Sequence, residues 1–311
     1  MARSKIKKFT PLISLILFGV AIYVLYDEFQ QYTWHQISEH LRLLPSWQYV
    51  TSVLLTGCVY LTLTLYDRMS FHYLGEDYPW RKILLGAFLG YSFSHNISPT
   101  LLVGGAIRYR IYSSMGISGM TVTNVVAFNA MSIWIGLMFL GAFSFITQSL
   151  ALPEQIELPI PAFSLRGLGW VLLFALIIYF ILTTFITGSV NFRGKTYHFP
   201  SLRVAFYQLG VSSMDWLLSS AVLFLLMPPT SEVNYLFFIG IYMVAFIVGL
   251  MSQVPGGLGV FETIVLLFLY PFMEPIEILS ALILFRIIYF ILPLITGAIL
   301  LGVFELNKQR S

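Results

Sequence analysis

Charge is what this chain has least of. Only 10% of its 311 residues are Asp, Glu, Lys or Arg, and its mean hydropathy is +0.84, whereas soluble domains carry about 25% charged residues. That scarcity excludes a water-soluble fold and identifies an integral membrane protein. Cysteine is nearly absent as well. Cys58 stands alone, so no intrachain disulfide forms, and its apolar surroundings favour a packing thiol. Also missing are His/Cys/Asp/Glu clusters at metal-ligand spacing, a Walker-type phosphate loop and a Ser/His/Asp arrangement. No metal centre, cofactor, ATPase or hydrolase is therefore expected, and any pumping is passive or draws on a gradient. The longest polar stretches, 27–46 and 148–166, are too short to fold as catalytic domains. A net charge of only +3 offers nothing to nucleic acid.

What the chain has is apolar runs, recurring from end to end with short breaks. Plain spans read as Phe9 to Tyr26, Trp47 to Tyr66, Gly119 to Phe145, Gly167 to Thr187, Val204 to Met227 and Ile276 to Phe304. The first follows a basic arm, MARSKIKKF, with no small-residue cleavage site behind it, and is taken as an uncleaved span. Two regions are interrupted. Ile83 to Ile107 is too short for two crossings and has SHNISP in its middle; Val233 to Phe272 contains VPGGLGVFE.

Lysine and arginine settle the first region. If Ile83 to Ile107 enters and leaves on one face, that face holds most of the 17 basic residues, both termini included, and the acidic loops fall on the other. A full crossing would put the basic NFRGKTYHFPSLR outside. The same parity makes Val233 to Phe272 a hairpin from the outer face. The expected architecture is all-α and polytopic: about six full spans plus two broken or re-entrant helical hairpins in one membrane domain, 1–311. It divides into halves of about 1–147 and 165–311 in an inverted repeat, with both termini cytoplasmic. Repeats with broken helices meeting near the midplane are a transporter plan.

Irregular backbone at membrane depth must be covered by protein or line a cavity. Pro255, Gly256, Gly257 and Gly259 break the second hairpin, leaving free amides ahead of the returning helix that suit an anionic headgroup; a tight turn or packing contact is the plain alternative. Glu262 follows, where a carboxylate at the bilayer centre costs about 2.5 to 3.5 kcal/mol and calls for a partner. Arg286 is the expected one, either as a structural clamp or beside a proton- or substrate-linked carboxylate. Asp215 is a second intramembrane acid, read as a further transport-site residue or as one that nearby serines satisfy without any transport role. His95 and Asn96 mark the first hairpin's tip. Gly104, Gly105 and Arg108 read as a headgroup site at its exit, Arg110 as a topology-fixing cation, and Asp67 with Arg68 as an interfacial structural pair.

Two segments, VGGAIRYRIYSSMGISG from Val103 and VPGGLGVFE from Val254, resemble the signature regions of the lysylphosphatidylglycerol synthase transmembrane-region family, the first being similar to its short YbhN-type inner-membrane members. YDRMSFHYLG and FRIIYFILPL fit as well, so the resemblance covers essentially the whole chain. It implies a bacterial inner-membrane module that flips a phospholipid or lipid-linked substrate between leaflets, working beside a separate lipid-modifying enzyme or serving as its membrane scaffold. The chain ends at ELNKQRS directly after its last span, so no synthase part, and no enzyme, is expected. Ala106 stands where many relatives carry an acid, so the resemblance does not extend to a cationic-headgroup specificity there.

Overall fold

The computed structural model describes residues 34–97, 100–148, 164–185, 189–192, 195–198, 200–230 and 232–310. The expected span Phe9 to Tyr26 lies outside them. The described chain is helical apart from one short β-hairpin, in the order α1 Trp34–Leu43, α2 Ser46–Tyr73, α3 Trp80–Ser94, α4 Thr100–Ser113, α5 Gly119–Thr147 and α6 Leu165–Phe185. Then come β1 Ser189–Phe192, β2 Lys195–His198, α7 Leu202–Leu226, α8 Tyr235–Ser252, α9 Val260–Leu269, α10 Pro275–Phe285 and α11 Leu292–Arg310. Six helices among the described residues are long and apolar enough to cross a membrane: α2, α5, α6, α7, α8, and α10 with α11 as one 33-residue rod. This is the all-α polytopic architecture the composition requires.

Both interruptions are hairpins. Helix α3 has 15 residues and α4 has 14; at 1.5 Å per residue neither reaches across a roughly 30 Å hydrocarbon layer. They pack on each other, as α8 and α9 do. The second hairpin is uneven. Its first arm has the 18 residues of a thin span, and its returning arm only 10. At the turn, Gln253, Gly256, Gly257 and Gly259 all take positive φ, a backbone that L side chains avoid.

Helices α2, α5 and α7 pack on one another at the centre. Gly136 on α5 sits so close to α7 that a Cβ there would lie 2.4 Å from the carbonyl carbon of Ser212. The first hairpin leans on α2, α5 and α11, the second on α5, α7 and α10. Each hairpin thus reaches a long helix from the other half of the chain.

Three features differ from the sequence expectation. The polar break before α2 contains α1, an amphipathic helix that buries Ile37 and packs on α10 while Glu39 and Arg42 stay exposed. The basic loop after α6 pairs β1 with β2, antiparallel, Ser189 opposite His198. The last span is not one regular helix. Between α10 and α11, Arg286–Ile291 forms a π-helical turn, with the Leu292 amide donating to the Ile287 carbonyl. Pro293 explains the position. It has no N–H to give the Tyr289 carbonyl one turn back, so the ladder loosens there.

Candidate functional site

The two hairpin tips meet at the π turn. From the first, the Asn96 amide donates to the Phe290 carbonyl at 3.2 Å as well as to Ser92 O at 2.9 Å, and the His95 ring stacks on Tyr289 at 6.0 Å. From the second comes the glycine turn. A Cβ on Gly256 would lie 3.1 Å from the His95 carbonyl oxygen and 3.3 Å from Arg286 Nη1, so glycine lets the two tips close. Backbone is packed against backbone at this contact. Near-parallel rings run on from His95 through Tyr289, Phe285 and Phe261, joining the first tip to the returning arm of the second hairpin.

Arg286 holds the junction together. Its Nε donates to Glu262 Oε1 and its Nη1 to the Gly256 carbonyl at 2.7 Å, while the Gly259 amide donates to Glu262 Oε2 at 2.7 Å. Glu262 therefore both caps α9 and pairs with the cation, as expected from its depth. The guanidinium lies 4.4 Å from the Phe290 ring centre, which favours a cation. One donor is left over. Arg286 Nη2 is buried with no hydrogen-bond partner among the described residues, as is His95 Nδ1. Buried polar atoms without partners are uncommon in native folds; of these two, Arg286 Nη2 is a charged donor that an acceptor-rich group would satisfy.

Arg108 is not at that junction. Its guanidinium makes a bidentate pair with Asp67, Nε to Oδ2 at 2.9 Å and Nη2 to Oδ1 at 3.2 Å, and stacks 4.1 Å from the Tyr91 ring centre. Asp67 also accepts from the Tyr112 hydroxyl and the Asn129 amide, each at 2.6 Å. This corrects the expected Asp67 and Arg68 pair: Asp67 is wholly buried and Arg68 lies over Trp80 instead. Helix geometry gives the reason, since consecutive residues on one helix point apart.

Gly104 and Gly105, expected at a break, are in the body of α4. Gly104 makes room for Arg108 Nη1, 3.1 Å from where its Cβ would be, whereas Gly105 meets only Val126 at 3.9 Å. Gly90 on α3 does what Gly104 does, at 2.7 Å. The exposed Arg110 pairs with Glu305 on α11.

Asp215 is 5% exposed and accepts one hydrogen bond, from the Tyr66 hydroxyl at 3.2 Å. It joins neither arginine. Ser212, Ser219 and Ser220, expected to satisfy it, donate to backbone carbonyls of α7. Tyr91, Tyr112, Asn129 and Tyr289 carry polar work that sequence reasoning missed. Tyrosine and asparagine inside apolar runs give little signal, although the proline of FRIIYFILPL does flag the π turn.

The chain is 34% identical to "Uncharacterized protein slr0712" of Synechocystis, covering 99% of this chain and 96% of that one. It is 27% identical to "Inner membrane protein YbhN" of Escherichia coli, covering 94% and 92%. A Staphylococcus haemolyticus "Phosphatidylglycerol lysyltransferase" is 25% identical over 94% of this chain but only 34% of its own length. Residues 12–297 match the family described as the lysylphosphatidylglycerol synthase TM region, and the chain belongs to that family.

Proposed function

We propose that the protein is a flippase of the bacterial inner membrane that moves a phospholipid or lipid-linked substrate between leaflets. The observation carrying this reading is the meeting of two broken helices at Arg286, whose buried Nη2 has no hydrogen-bond partner among the described residues. A phosphate-bearing headgroup supplies the acceptor that Nη2 lacks. The acyl chains stay in lipid, which avoids drawing a charge through hydrocarbon. The closed tips then represent an occluded state, and opening them admits the headgroup from one leaflet at a time. The packing of each hairpin against a long helix of the other half supports an inverted repeat of 1–147 and 165–311 in one membrane domain. Basic loops on one face support cytoplasmic termini.

In this reading Glu262, Arg286, Pro255, Gly256, Gly257 and Gly259 form the headgroup site, and Arg108 with Gly104 stabilises the first hairpin. The protein itself is not an enzyme. A second reading has one observation in its favour: in the lysyltransferases this region is about a third of a longer chain, which suits a membrane partner of a separate lipid-modifying enzyme.

Proteoliposomes holding headgroup-labelled lipids distinguish the two. Wild type is expected to equilibrate at least one phospholipid across the bilayer, and Glu262→Gln to slow it at least about tenfold, about 1.4 kcal/mol of barrier, with normal elution on gel filtration. Failure of folded wild type to move any lipid, together with a copurifying lipid-modifying enzyme, supports the partner reading instead.

A further inference from the structure

Three acids are buried among the described helices, and two of them have arginines. Asp67 has Arg108 and Glu262 has Arg286. Asp215 has neither, and belongs to none of the ion pairs among the described residues. Its surroundings offer no replacement. On α2, Tyr60 and Tyr66 face it; on α3, Tyr91; on α8, Tyr242; on the π turn, Tyr289. Helix α5 contains no ionisable residue. Tyr179 of α6 is engaged with Gln208, and Glu277 of α10 accepts from the Glu274 amide. A lone carboxylate in such a setting needs a positive charge from outside the protein, and only a proton fits a site this closed. An amide would accept from Tyr66 equally well; what the acid adds is the ability to bind and release H⁺.

We propose that Asp215 is a proton-binding site, and that its loading and unloading couples the opening of the two hairpins to a transmembrane proton gradient. The O–H bond forms at a carboxylate oxygen of Asp215 with a proton from water on one side of the membrane. It breaks to water on the other, with no net chemistry. The placement suits coupling. Asp215 is on α7, which packs on both α2 and α8, and the ring of tyrosines around it includes Tyr289 under the first hairpin's tip. Loading neutralises a charge beside the contact that must part for a headgroup to enter. The coupling half rests on the flippase reading, whereas the proton site does not.

Infrared difference spectra of the purified full chain, recorded as pH is stepped, test the site directly. A carboxylic-acid C=O band that titrates in wild type should vanish in Asp215→Asn and shift in Tyr66→Phe, which keeps the acid and removes its hydrogen bond. A titrating band that survives Asp215→Asn, or no such band in wild type, overturns the proposal. Coupling is read in proteoliposomes with an imposed pH gradient. For one proton per lipid, each pH unit biases the wild-type leaflet ratio by about tenfold, and Asp215→Asn abolishes that response. Wild type that flips lipid without responding to the gradient sinks the coupling and leaves the flippase. Wild type that flips nothing sinks the flippase reading, and the infrared result alone then decides the proton site. A requirement for an ammonium headgroup that disappears in Asp215→Asn, with no gradient response in wild type, assigns the carboxylate to a headgroup cation and overturns the proton.

Discussion

Arg108 and Arg286 are both buried or half-buried arginines paired with acids, yet they differ in what remains free. Every N–H-bearing nitrogen of Arg108 has a bond: two to Asp67 and one to Gly104 O. Removing it strands Asp67 in an apolar interior. Arg108→Met is therefore expected to cost about 3 to 5 kcal/mol, read as a large drop in thermal unfolding temperature in detergent; a double-mutant cycle with Asp67→Leu should recover most of it. The exposed Arg110 makes a control, since Arg110→Met should change stability little. Additive losses in the Asp67 and Arg108 cycle would show that the two do not act as a pair. The Glu262 and Arg286 pair was readable in the sequence because each is an isolated charge at depth and needs the other. The Asp67 and Arg108 pair was not. Asp67 adjoins Arg68 at a span end, which suggests a local pair, and nothing in one sequence reveals that α4 turns Arg108 back toward α2.

Whole elements are governed here by close approach as much as by charge. The α5 and α7 crossing allows no side chain at Gly136, because the atoms in the way, Ser212 C and O and Ser213 N, are backbone and cannot rotate aside. Gly136→Ala is expected to force the helices apart and cost at least about 1 to 3 kcal/mol. Gly210, also on α7, has nothing within 4 Å of where a Cβ would stand, so Gly210→Ala should be neutral or gain up to about 1 kcal/mol from helix propensity. Thermal unfolding of the two variants side by side checks this, and equal shifts would contradict the crossing. Polar breaks in apolar runs made both hairpins legible in the sequence. Helix α1 was missed because its polar face dominates a short segment in which Ile37 and Leu41 carry the apolar period. The π turn was missed because hydropathy is blind to backbone hydrogen bonding: Pro293 changes no apolar count, only the donor owed to Tyr289.

At the scale of the molecule, the re-entrant first hairpin decides which way every later loop faces. The arms α3 and α4 are each too short to cross, so the loop before them and the β1 and β2 hairpin, which follows two further crossings, must lie on one side. Glu232, beyond α7, must then lie on the other. Single cysteines at Asp77, Lys195 and Glu232 in a Cys58→Ser background test this with a membrane-impermeant maleimide. Asp77 and Glu232 are exposed, so access depends on side alone. In intact bacteria Glu232→Cys is expected to react, and Asp77→Cys and Lys195→Cys only after the membrane is opened, because basic loops stay cytoplasmic. Labelling of Lys195→Cys but not Asp77→Cys in intact cells would mean that the first hairpin crosses after all. The two tips would then not approach from opposite faces, and the inverted repeat, with alternating access built on it, would fall together.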